Sequence, residues 1–113
     1  MNKIEAIVRP GKIAEICAIL EKVDYPGLMI TEIEGHGKQK GLQQQVRGKT
    51  YKVGLMTKAR IEVVVKDSDT DKIVKAIQET AFTGKEGDGK IFIYPVNDAI
   101  RIRTSEHGEA AIK

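Results

Sequence analysis

The chain has 113 residues, 41% of them hydrophobic and 31% charged, which predicts one domain with one hydrophobic core and excludes a disordered chain. No apolar run approaches the roughly 18 residues of a membrane helix, and no signal-peptide pattern is present, so we expect a cytoplasmic protein. The net charge of +3 and the aromatic content of 4% are too low to predict nucleic-acid binding. Small anions and proteins are the expected partners.

The chain opens with a predicted strand and helix. Apolar and polar residues alternate over residues 3–8, which is the pattern of a strand buried on one face. That face would carry Ile4, Ala6 and Val8. Over residues 12–23 the apolar residues recur with the 3.6-residue period of a helix packed on one side. The only cysteine, Cys17, lies on this apolar stripe, so we predict a buried thiol rather than a nucleophile, and no internal disulfide can form.

A second strand is followed by a long segment without a steady period. Residues 28–35 alternate and predict a strand whose buried residues are Leu28, Ile30 and Ile33. The next segment, residues 36–57, contains five lysine and arginine residues and no acidic residue. Structureless loops longer than about 12–15 residues are uncommon in compact domains and are usually functional. We therefore predict that this segment contacts an anion or another protein.

Regular patterns then resume with a strand and a second helix. Residues 59–66 are rich in β-branched residues, which favours a strand. Residues 69–81 have an amphipathic helical pattern, and Asp67 and Asp69 are candidates for the residue that caps its N-terminus.

The last part of the chain predicts a strand and a tail. Residues 90–94 have a strand pattern that Pro95 ends, and the C-terminal segment, residues 95–113, follows. Within it, residues 96–102 predict a further short strand, whose alternation would point Arg101 and Arg103 to the same side. Residues 105–113 are predicted to be loosely held.

The predicted order of elements is β-α-β-β-α-β in a single domain covering residues 1–113. This α+β order is typical of the ferredoxin-like fold, an antiparallel four-stranded sheet with two helices on one face, and the long loop lies between strands 2 and 3. The opposite face of the sheet would carry Ile7, Val64 and Ile93 without cover, which predicts self-association.

Residues 83–90 have two interpretations that the residues alone leave open. They contain three glycines, two lysines and one threonine between the second helix and the last strand. Glycine lets successive backbone N–H groups surround an anion, and a neighbouring lysine adds a full positive charge, so the segment can cradle a phosphate. A helix cap at Gly84 and a tight turn at Asp88 and Gly89 explain the same residues without a ligand.

Four separated motifs, in this order and with this spacing, resemble those of the PII nitrogen-regulatory signalling proteins. They are IEAIVRP at residues 4–10, GHGKQKG at residues 35–41, TGKEGDGKIF at residues 83–92 and RIRT at residues 101–104. The second resembles the entry to the family's long T-loop, and the third resembles its B-loop signature. The resemblance covers nearly the whole chain.

The resemblance implies a homotrimer that senses nucleotides and regulates other proteins rather than an enzyme. ATP and ADP would compete for three clefts between neighbouring subunits. Glycine backbone and Lys90 would surround the phosphates, and arginines of the next subunit would reach them, since the planar guanidinium fork suits phosphate oxygens. Ile7, Glu62 and Val64 would line the adenine. The nucleotide residues implied in this way are Ile7, Gly35, Gly37, Lys38, Gln39, Glu62, Val64, Gly87, Asp88, Gly89, Lys90, Arg101 and Arg103.

The resemblance also implies a site for 2-oxoglutarate that depends on MgATP. The side-chain oxygen of Gln39 would ligate Mg²⁺, which prefers oxygen ligands and bridges phosphates. Lys58 would pair with a carboxylate of 2-oxoglutarate. The residues implied for this ligand are Gln39, Lys40, Gly41, Lys58 and Gly87.

The sequence departs from the family pattern at two places. Met29 stands where many members have a threonine near the adenine. Tyr51 is retained at the position that some members carry uridylylated, but its surroundings, VRGKTY at residues 46–51, differ from the family's, which argues against its modification.

The partners implied by the resemblance are proteins. They include an ammonium transporter, glutamine synthetase, nitrogenase or a transcriptional regulator. No direct contact with nucleic acid and no membrane insertion are expected, and a transporter would be the route by which a cytoplasmic protein of this kind reaches a membrane.

Two other functions stay open at this point. A small phosphohydrolase or phosphotransferase on the same fold would need a base beside the phosphates, for which His36 and Asp88 are the candidates. Slow ATP hydrolysis alone would not establish it. An RNA-binding module would need aromatic residues on the central strands, and residues 3–8 and 58–66 have none.

Overall fold

The computed structural model describes residues 1–36, 43–46, 49–52 and 55–113, with side chains at residues 1–34 and 57–113. Its strands are β1 (Asn2–Val8), β2 (Met29–His36), β3 (Gln43–Val46), β4 (Lys49–Lys52), β5 (Leu55–Val65) and β6 (Lys90–Pro95). Its α-helices are α1 (Ile13–Lys22) and α2 (Thr70–Ala81), and short 3₁₀ turns cover Pro10–Lys12, Asp67–Asp69 and Gly108–Ala111.

Four strands form one antiparallel sheet in the order β2-β5-β1-β6, with β5 and β1 at its centre. The two helices cover one face of this sheet. The predicted ferredoxin-like arrangement is therefore confirmed. The alternation of residues 3–8 was a reliable signal because β1 is paired on both sides and has only one face in the core.

The hydrophobic core lies between the helices and the central strands. Ile4, Ala6 and Val8 are buried, as predicted, and they face the odd-numbered residues 59–65 of β5. Each helix places one apolar stripe on them. The stripes are Ile16 and Leu20 from α1 and Ile73, Ile77 and Ala81 from α2. Fully burying one such aliphatic side chain stabilises the fold by about 1.5–3 kcal/mol.

Several predicted burials are wrong because the residues lie at the margins of the core. Ile30 is 44% exposed, since β2 is an edge strand that the helices only partly cover. Leu28 and Ile33 are half-buried, and so is Cys17. Ile93 lies opposite Ile4 and therefore on the helix face, not on the open face where it was predicted. It is 49% exposed because β6 is the other edge strand.

The start of α2 differs from the prediction in its capping. Neither Asp67 nor Asp69 makes a side-chain cap. Asp67 instead accepts a hydrogen bond from the Asn2 side chain and pairs with the chain's amino terminus. Asp69 accepts a hydrogen bond from the buried Tyr25 hydroxyl at 2.5 Å. Both carboxylates therefore tie α2 to neighbouring segments.

The segment from residue 36 to residue 57 contains more regular structure than its sequence predicts. β2 extends to His36, and β5 already begins at Leu55, which pairs with His36. Between them, β3 and β4 pair antiparallel, with Gln43 opposite Lys52. The sequences of these strands, QQQV and KTYK, do not alternate apolar and polar residues, so they carry no strand period to detect.

The C-terminal segment also corrects the prediction. Residues 96–102 form no strand: Ile100 makes one isolated bridge with His107, and residues 102–104 form a turn. The following residues are not loosely held. They fold back, end in a 3₁₀ turn and make hydrogen bonds to the preceding residues, among them Gly108 N–H to the Ala99 carbonyl at 2.9 Å.

Candidate functional site

The glycine loop, residues 83–90, connects α2 to β6 and requires glycine at its turning points. Gly84, Gly87 and Gly89 have φ values of 85°, 96° and 100°, a region that residues with a Cβ atom rarely adopt. At Gly89 the requirement is also steric, because an added Cβ would lie 1.7 Å from the Ile7 carbonyl oxygen. The loop therefore passes against the end of β1 as bare backbone, and Gly89 and Lys90 remain exposed.

Asp88 holds the shape of this loop from inside. Its carboxylate accepts hydrogen bonds from the N–H groups of Thr83 at 2.8 Å and Gly84 at 2.9 Å and from the Thr83 hydroxyl. The Thr83 hydroxyl in turn accepts from the Lys85 N–H at 3.2 Å. The Thr83 side chain, followed by the Thr83 and Gly84 N–H groups and by Arg9, holds the pKa of Asp88 far below its usual value.

Two cations from the sheet also contact the loop. Arg9, directly after β1, places Nε 3.3 Å from the Asp88 carboxylate and donates from its terminal nitrogen to the Glu86 carbonyl at 2.7 Å. Lys58 of β5 donates to the Gly87 carbonyl at 2.5 Å. Burial, and then the charge of Arg9, lowers the pKa of Lys58, while Asp88 opposes that shift. The loop is thus fixed to two neighbouring strands.

Arg9 and Thr83 were missed as functional residues by the sequence analysis. Both lie inside the quoted motifs, Arg9 in IEAIVRP and Thr83 in TGKEGDGKIF, so their motif membership was the available signal. The structure was needed to show that Arg9 stabilises the loop, because Arg9 and Asp88 are 79 residues apart in the chain.

A cleft of about 450 Å³ opens beside the loop. Four of the residues predicted to bind nucleotide lie on its wall: Ile7, Asp88, Gly89 and Lys90. Residues of α2 and Phe82, which is 69% exposed, also line the cleft. The structure thus brings the end of β1 and the second half of the glycine loop together at one open cavity.

Glu62 and Val64, predicted to line the adenine with Ile7, lie on the face of the sheet that the helices leave open. Val64 is half-buried and stands opposite Lys3. Glu62 lies between two cations, 3.0 Å from Arg60 Nε and 3.8 Å from Lys3 Nζ. Met29 stands opposite Glu62 on the edge strand and is 61% exposed.

Arg101 and Arg103 lie away from the glycine loop of their own chain. The loop adjoins the first residue of β6, whereas the arginines follow its last residue, and six strand residues span about 20 Å. Arg101 binds the C-terminal segment, with a 2.6 Å ion pair to Glu106. That segment is attached near the far ends of β5 and α1 through Lys66–Glu109 and Lys113–Asp24 pairs. Arg103 is exposed.

The remaining predicted residues fall partly outside the described residues. Gly35 lies in β2, with its backbone opposite that of Met56. Tyr51 lies in β4, opposite Gln44. The residues Gly37, Lys38, Gln39, Lys40 and Gly41 lie outside the part of the chain that the structure describes. Among the described residues, no helix is both long and apolar enough to cross a membrane.

Comparison with known proteins decides the family. The sequence model described as "Nitrogen regulatory protein P-II" matches residues 1–106. The chain belongs to the P-II family. The resemblance seen in the motifs is thereby confirmed, and the chain is a regulator rather than an enzyme.

Individual P-II proteins match over nearly their full length. The Nitrogen regulatory protein P-II of Pasteurella multocida is 47% identical over 99% of this chain and 100% of its own. The Nitrogen regulatory protein P-II 2 of Methanothermobacter thermautotrophicus is 44% identical over 99% of this chain and 97% of its own. A crystal structure of Arabidopsis thaliana PII bound to citrate superposes with a TM-score of 0.80 at 37% identity, covering 99% of this chain and 89% of that one.

Proposed function

We propose that this P-II protein is a cytoplasmic nitrogen sensor that binds ATP or ADP, with Mg²⁺ and 2-oxoglutarate, in clefts between the subunits of a homotrimer. The bound ligands set the conformation of residues 36–57, which contact the regulated protein. In this proposal the three parts of the single domain are that segment, the glycine loop and the C-terminal segment.

The observation that carries the proposal is the prepared shape of the glycine loop. Three glycines with positive φ turn its backbone, and the side chain of Asp88 occupies its inner side. The backbone is therefore fixed before a ligand arrives, which lowers the entropy lost on binding. Backbone N–H groups that such a turn directs toward one point, with a lysine such as Lys90 beside them, attract phosphate oxygens.

Asp88 belongs to this site as a residue that shapes the loop. Its oxygens already accept from Thr83, Gly84 and Arg9, and a carboxylate turned toward a phosphate would repel it. We therefore assign the phosphate contact at position 88 to the backbone. The same hydrogen bonds make Asp88 a poor general base, which agrees with a binding role.

The separation of the two halves of the site supports clefts that are formed between subunits, as in the proposed homotrimer. Arg101 and Arg103 lie beyond the far end of β6, so a second subunit is the source of arginines for a phosphate on the glycine loop. The open face of the sheet offers a surface for association, with Phe92 44% and Tyr94 42% exposed beside half-buried Ile7 and Val64. Apolar surface of this kind commonly marks a protein interface.

For 2-oxoglutarate we propose Lys58, Gly87 and the segment Gln39, Lys40 and Gly41. Lys58 already lies within hydrogen-bond distance of the Gly87 carbonyl, so its ammonium group is positioned at the loop to receive a carboxylate. The Arabidopsis relative was solved with citrate, and citrate is also a small polycarboxylate. Gln39 would supply an oxygen to Mg²⁺.

The proposed regulated partners are those of the family: an ammonium transporter, glutamine synthetase, nitrogenase or a transcriptional regulator. The five cations of residues 36–57, with no acidic residue among them, favour an acidic surface on the partner. Pull-down from cell extract with ADP, with ATP and with ATP plus 2-oxoglutarate tests this part. The same proteins captured under all three conditions would argue against ligand control of the segment.

Calorimetric titration of MgATP tests the nucleotide site. We expect Lys90→Ala to weaken binding by about tenfold, as for loss of one charge-assisted contact. Lys85→Ala is the matched control, since Lys85 is an exposed lysine of the same loop outside the proposed phosphate contacts. No nucleotide binding by the unaltered protein, or equal losses in the two variants, would contradict the proposal.

The same titration with 2-oxoglutarate tests the second ligand. Binding is expected only with MgATP present and is expected to be much weaker in Gln39→Ala. Gln43→Ala is the control for a glutamine in the same segment. Equal binding of 2-oxoglutarate with and without nucleotide would exclude the shared Mg²⁺ site.

A further inference from the structure

We infer that the C-terminal residues 106–113 act as a strap that competes with the nucleotide for the guanidinium group of Arg101. This inference rests on the proposed function, in which Arg101 reaches a phosphate on the neighbouring subunit. The strap would then set the affinity of the site from within the chain, and nucleotide binding would release the strap.

The strap engages both terminal nitrogens of the Arg101 guanidinium group. One terminal nitrogen donates to the Glu106 carboxylate at 2.6 Å, and the other donates to the Ala110 carbonyl at 2.9 Å and to the main-chain oxygen of Lys113. Arginine has five N–H groups. Both hydrogens of the second terminal nitrogen are therefore in use, and with them the paired donors that bind phosphate oxygens side by side.

Backbone hydrogen bonds also hold Arg101 and Glu106 together. The Arg101 N–H donates to the Glu106 carbonyl at 2.9 Å, and the Ser105 N–H donates to the Arg101 carbonyl at 2.8 Å. Ser105 adopts φ 60°, which turns the chain back toward Arg101. Glu106 is consequently placed beside the arginine by a tight local turn, independently of any ligand.

The far end of the strap is attached to the body of the domain. Lys113 pairs with Asp24 at 3.2 Å, and its ammonium group lies 4.4 Å from the centre of the Tyr25 ring. Glu109 lies 4.0 Å from Lys66. These contacts hold the main-chain oxygens of Ala110 and Lys113 near Arg101, yet the two ion pairs among them are solvent-exposed and of the kind that contributes little stability. The strap is thus ordered but can be displaced at small cost.

Arg103 provides the internal contrast. It is exposed, and within the described part of the chain it makes no hydrogen bond or ion pair. Of the two arginines assigned to the phosphates, one is thus available and the other is engaged. Since a ligand's apparent affinity falls with the fraction of protein that is competent to bind it, the strap lowers nucleotide affinity through Arg101 alone. By linkage, nucleotide must loosen the strap to the same extent.

The first experiment is calorimetric titration of MgATP into the unaltered protein and its Glu106→Gln variant. We expect the variant to bind about twofold to fivefold more tightly, the size of effect that exposed ion pairs produce. Glu15→Gln, which removes the same charge from the exposed face of α1, is the control and should bind as the unaltered protein does. In an Arg101→Ala background, Glu106→Gln should have no effect on affinity.

A second readout follows the strap itself. Hydrogen exchange of residues 106–113 in the unaltered protein is expected to accelerate when MgATP is added. Unchanged or weaker binding by Glu106→Gln, or a strap that becomes more protected with nucleotide, would overturn the inference while leaving the proposed nucleotide site intact. Absence of nucleotide binding by the unaltered protein would overturn the proposed function and the strap with it.

Discussion

Two turns at opposite ends of β6 are each built around an aspartate, but they are fixed to the molecule in different ways. Asp88 accepts from N–H groups of its own loop and also from Arg9, which belongs to the end of β1. Asp98 accepts from the N–H groups of Ala99 at 2.8 Å and Gly108 at 3.1 Å and lies 2.9 Å from the His107 ring, all within ten residues. The glycine loop is therefore attached to the sheet, whereas the C-terminal segment is attached mainly to itself.

This difference in attachment indicates that the glycine loop is the more rigid half of the proposed site. Displacing the glycine loop requires breaking a contact to a central strand, since β1 is paired on both sides. Displacing the C-terminal segment breaks exposed ion pairs, the cation–π contact at Tyr25 and hydrogen bonds within the segment. Substitutions in the two turns should therefore differ in their effect on global stability, and the four below run from the largest expected effect to the smallest.

Gly89→Ala should be the most damaging substitution. The new Cβ would lie 1.7 Å from the Ile7 carbonyl oxygen in a backbone with φ of 100°, so the loop or β1 must move. We expect a loss of about 3 kcal/mol or more in the free energy of unfolding, measured by urea denaturation. Gly27→Ala is the control, because a Cβ there meets no atom within 4 Å. Similar stability of both variants would show that the loop is not fixed against β1.

Asp88→Asn should come second, and its effect should depend on pH. The pKa of Asp88 lies below its ordinary value of 3.8, chiefly because the Thr83 side chain hydrogen-bonds the carboxylate. A carboxyl with a depressed pKa in the folded state contributes stability that is present above pH 3.8 and is lost as the pH falls further. We expect the variant's Tm to be lower by on the order of 5 °C at pH 7. The difference from the unaltered protein should shrink steadily below about pH 4, and a difference that stays constant there would contradict the assigned role of the charge.

Arg9→Lys keeps the positive charge but should still destabilise the loop. Arg9 contacts the Asp88 carboxylate and the Glu86 carbonyl with two different nitrogens, and an ammonium group cannot span both. Because the Arg9 side chain is partly exposed, we expect a modest loss of about 0.5–1 kcal/mol in the free energy of unfolding. Lys12→Arg is a control at a neighbouring cation that does not contact the loop. If Arg9→Lys is as stable as the unaltered protein, the two contacts of the guanidinium group do not stabilise the loop.

Asp98→Asn should have the smallest global effect. Its partners all lie in the same exposed segment, so we expect Tm to fall by less than about 2 °C. The local effect should be larger: hydrogen exchange at Ala99 and Gly108 should accelerate. A fall in Tm as large as that of Asp88→Asn would mean that the two turns are equally integrated into the fold, and the contrast between them would be lost.

The parts of the fold predicted from sequence are those in which burial imposes a period. β1, α1 and α2 each pack one face on the core and show that period in the sequence, whereas β5 was predicted from its β-branched residues. The edge strands were predicted as strands, but their burial was wrong at Ile30, because alternation indicates which side a residue faces and not how far the helices reach. The open face was correct for Ile7 and Val64 and wrong for Ile93, since its assignment depends on the pairing register of β6.

The candidate site also contains parts that the sequence predicted and parts that it did not. The glycine loop was visible in the sequence because positive φ demands glycine at fixed positions. The role of Arg9 could not be predicted from the sequence, because its contacts with Asp88 and Glu86 form only when the fold brings distant segments together. The C-terminal segment was predicted to be loose because a turn stabilised by a few side-chain hydrogen bonds has no period. The ligand roles of Gln39, Lys58 and Arg103 came from family resemblance alone and remain predictions.

The position of Tyr25 has a practical consequence. The chain has no tryptophan and three tyrosines, so its near-ultraviolet spectrum comes mainly from very few rings. Tyr25 is buried, its hydroxyl is hydrogen-bonded to Asp69, and burial with that bond raises its pKa. The Lys113 ammonium group lies over its ring, and withdrawal of that cation changes the electronic surroundings of the chromophore. Tyrosine absorbance and emission can therefore report on the position of Lys113 in the unmodified protein, without an attached dye.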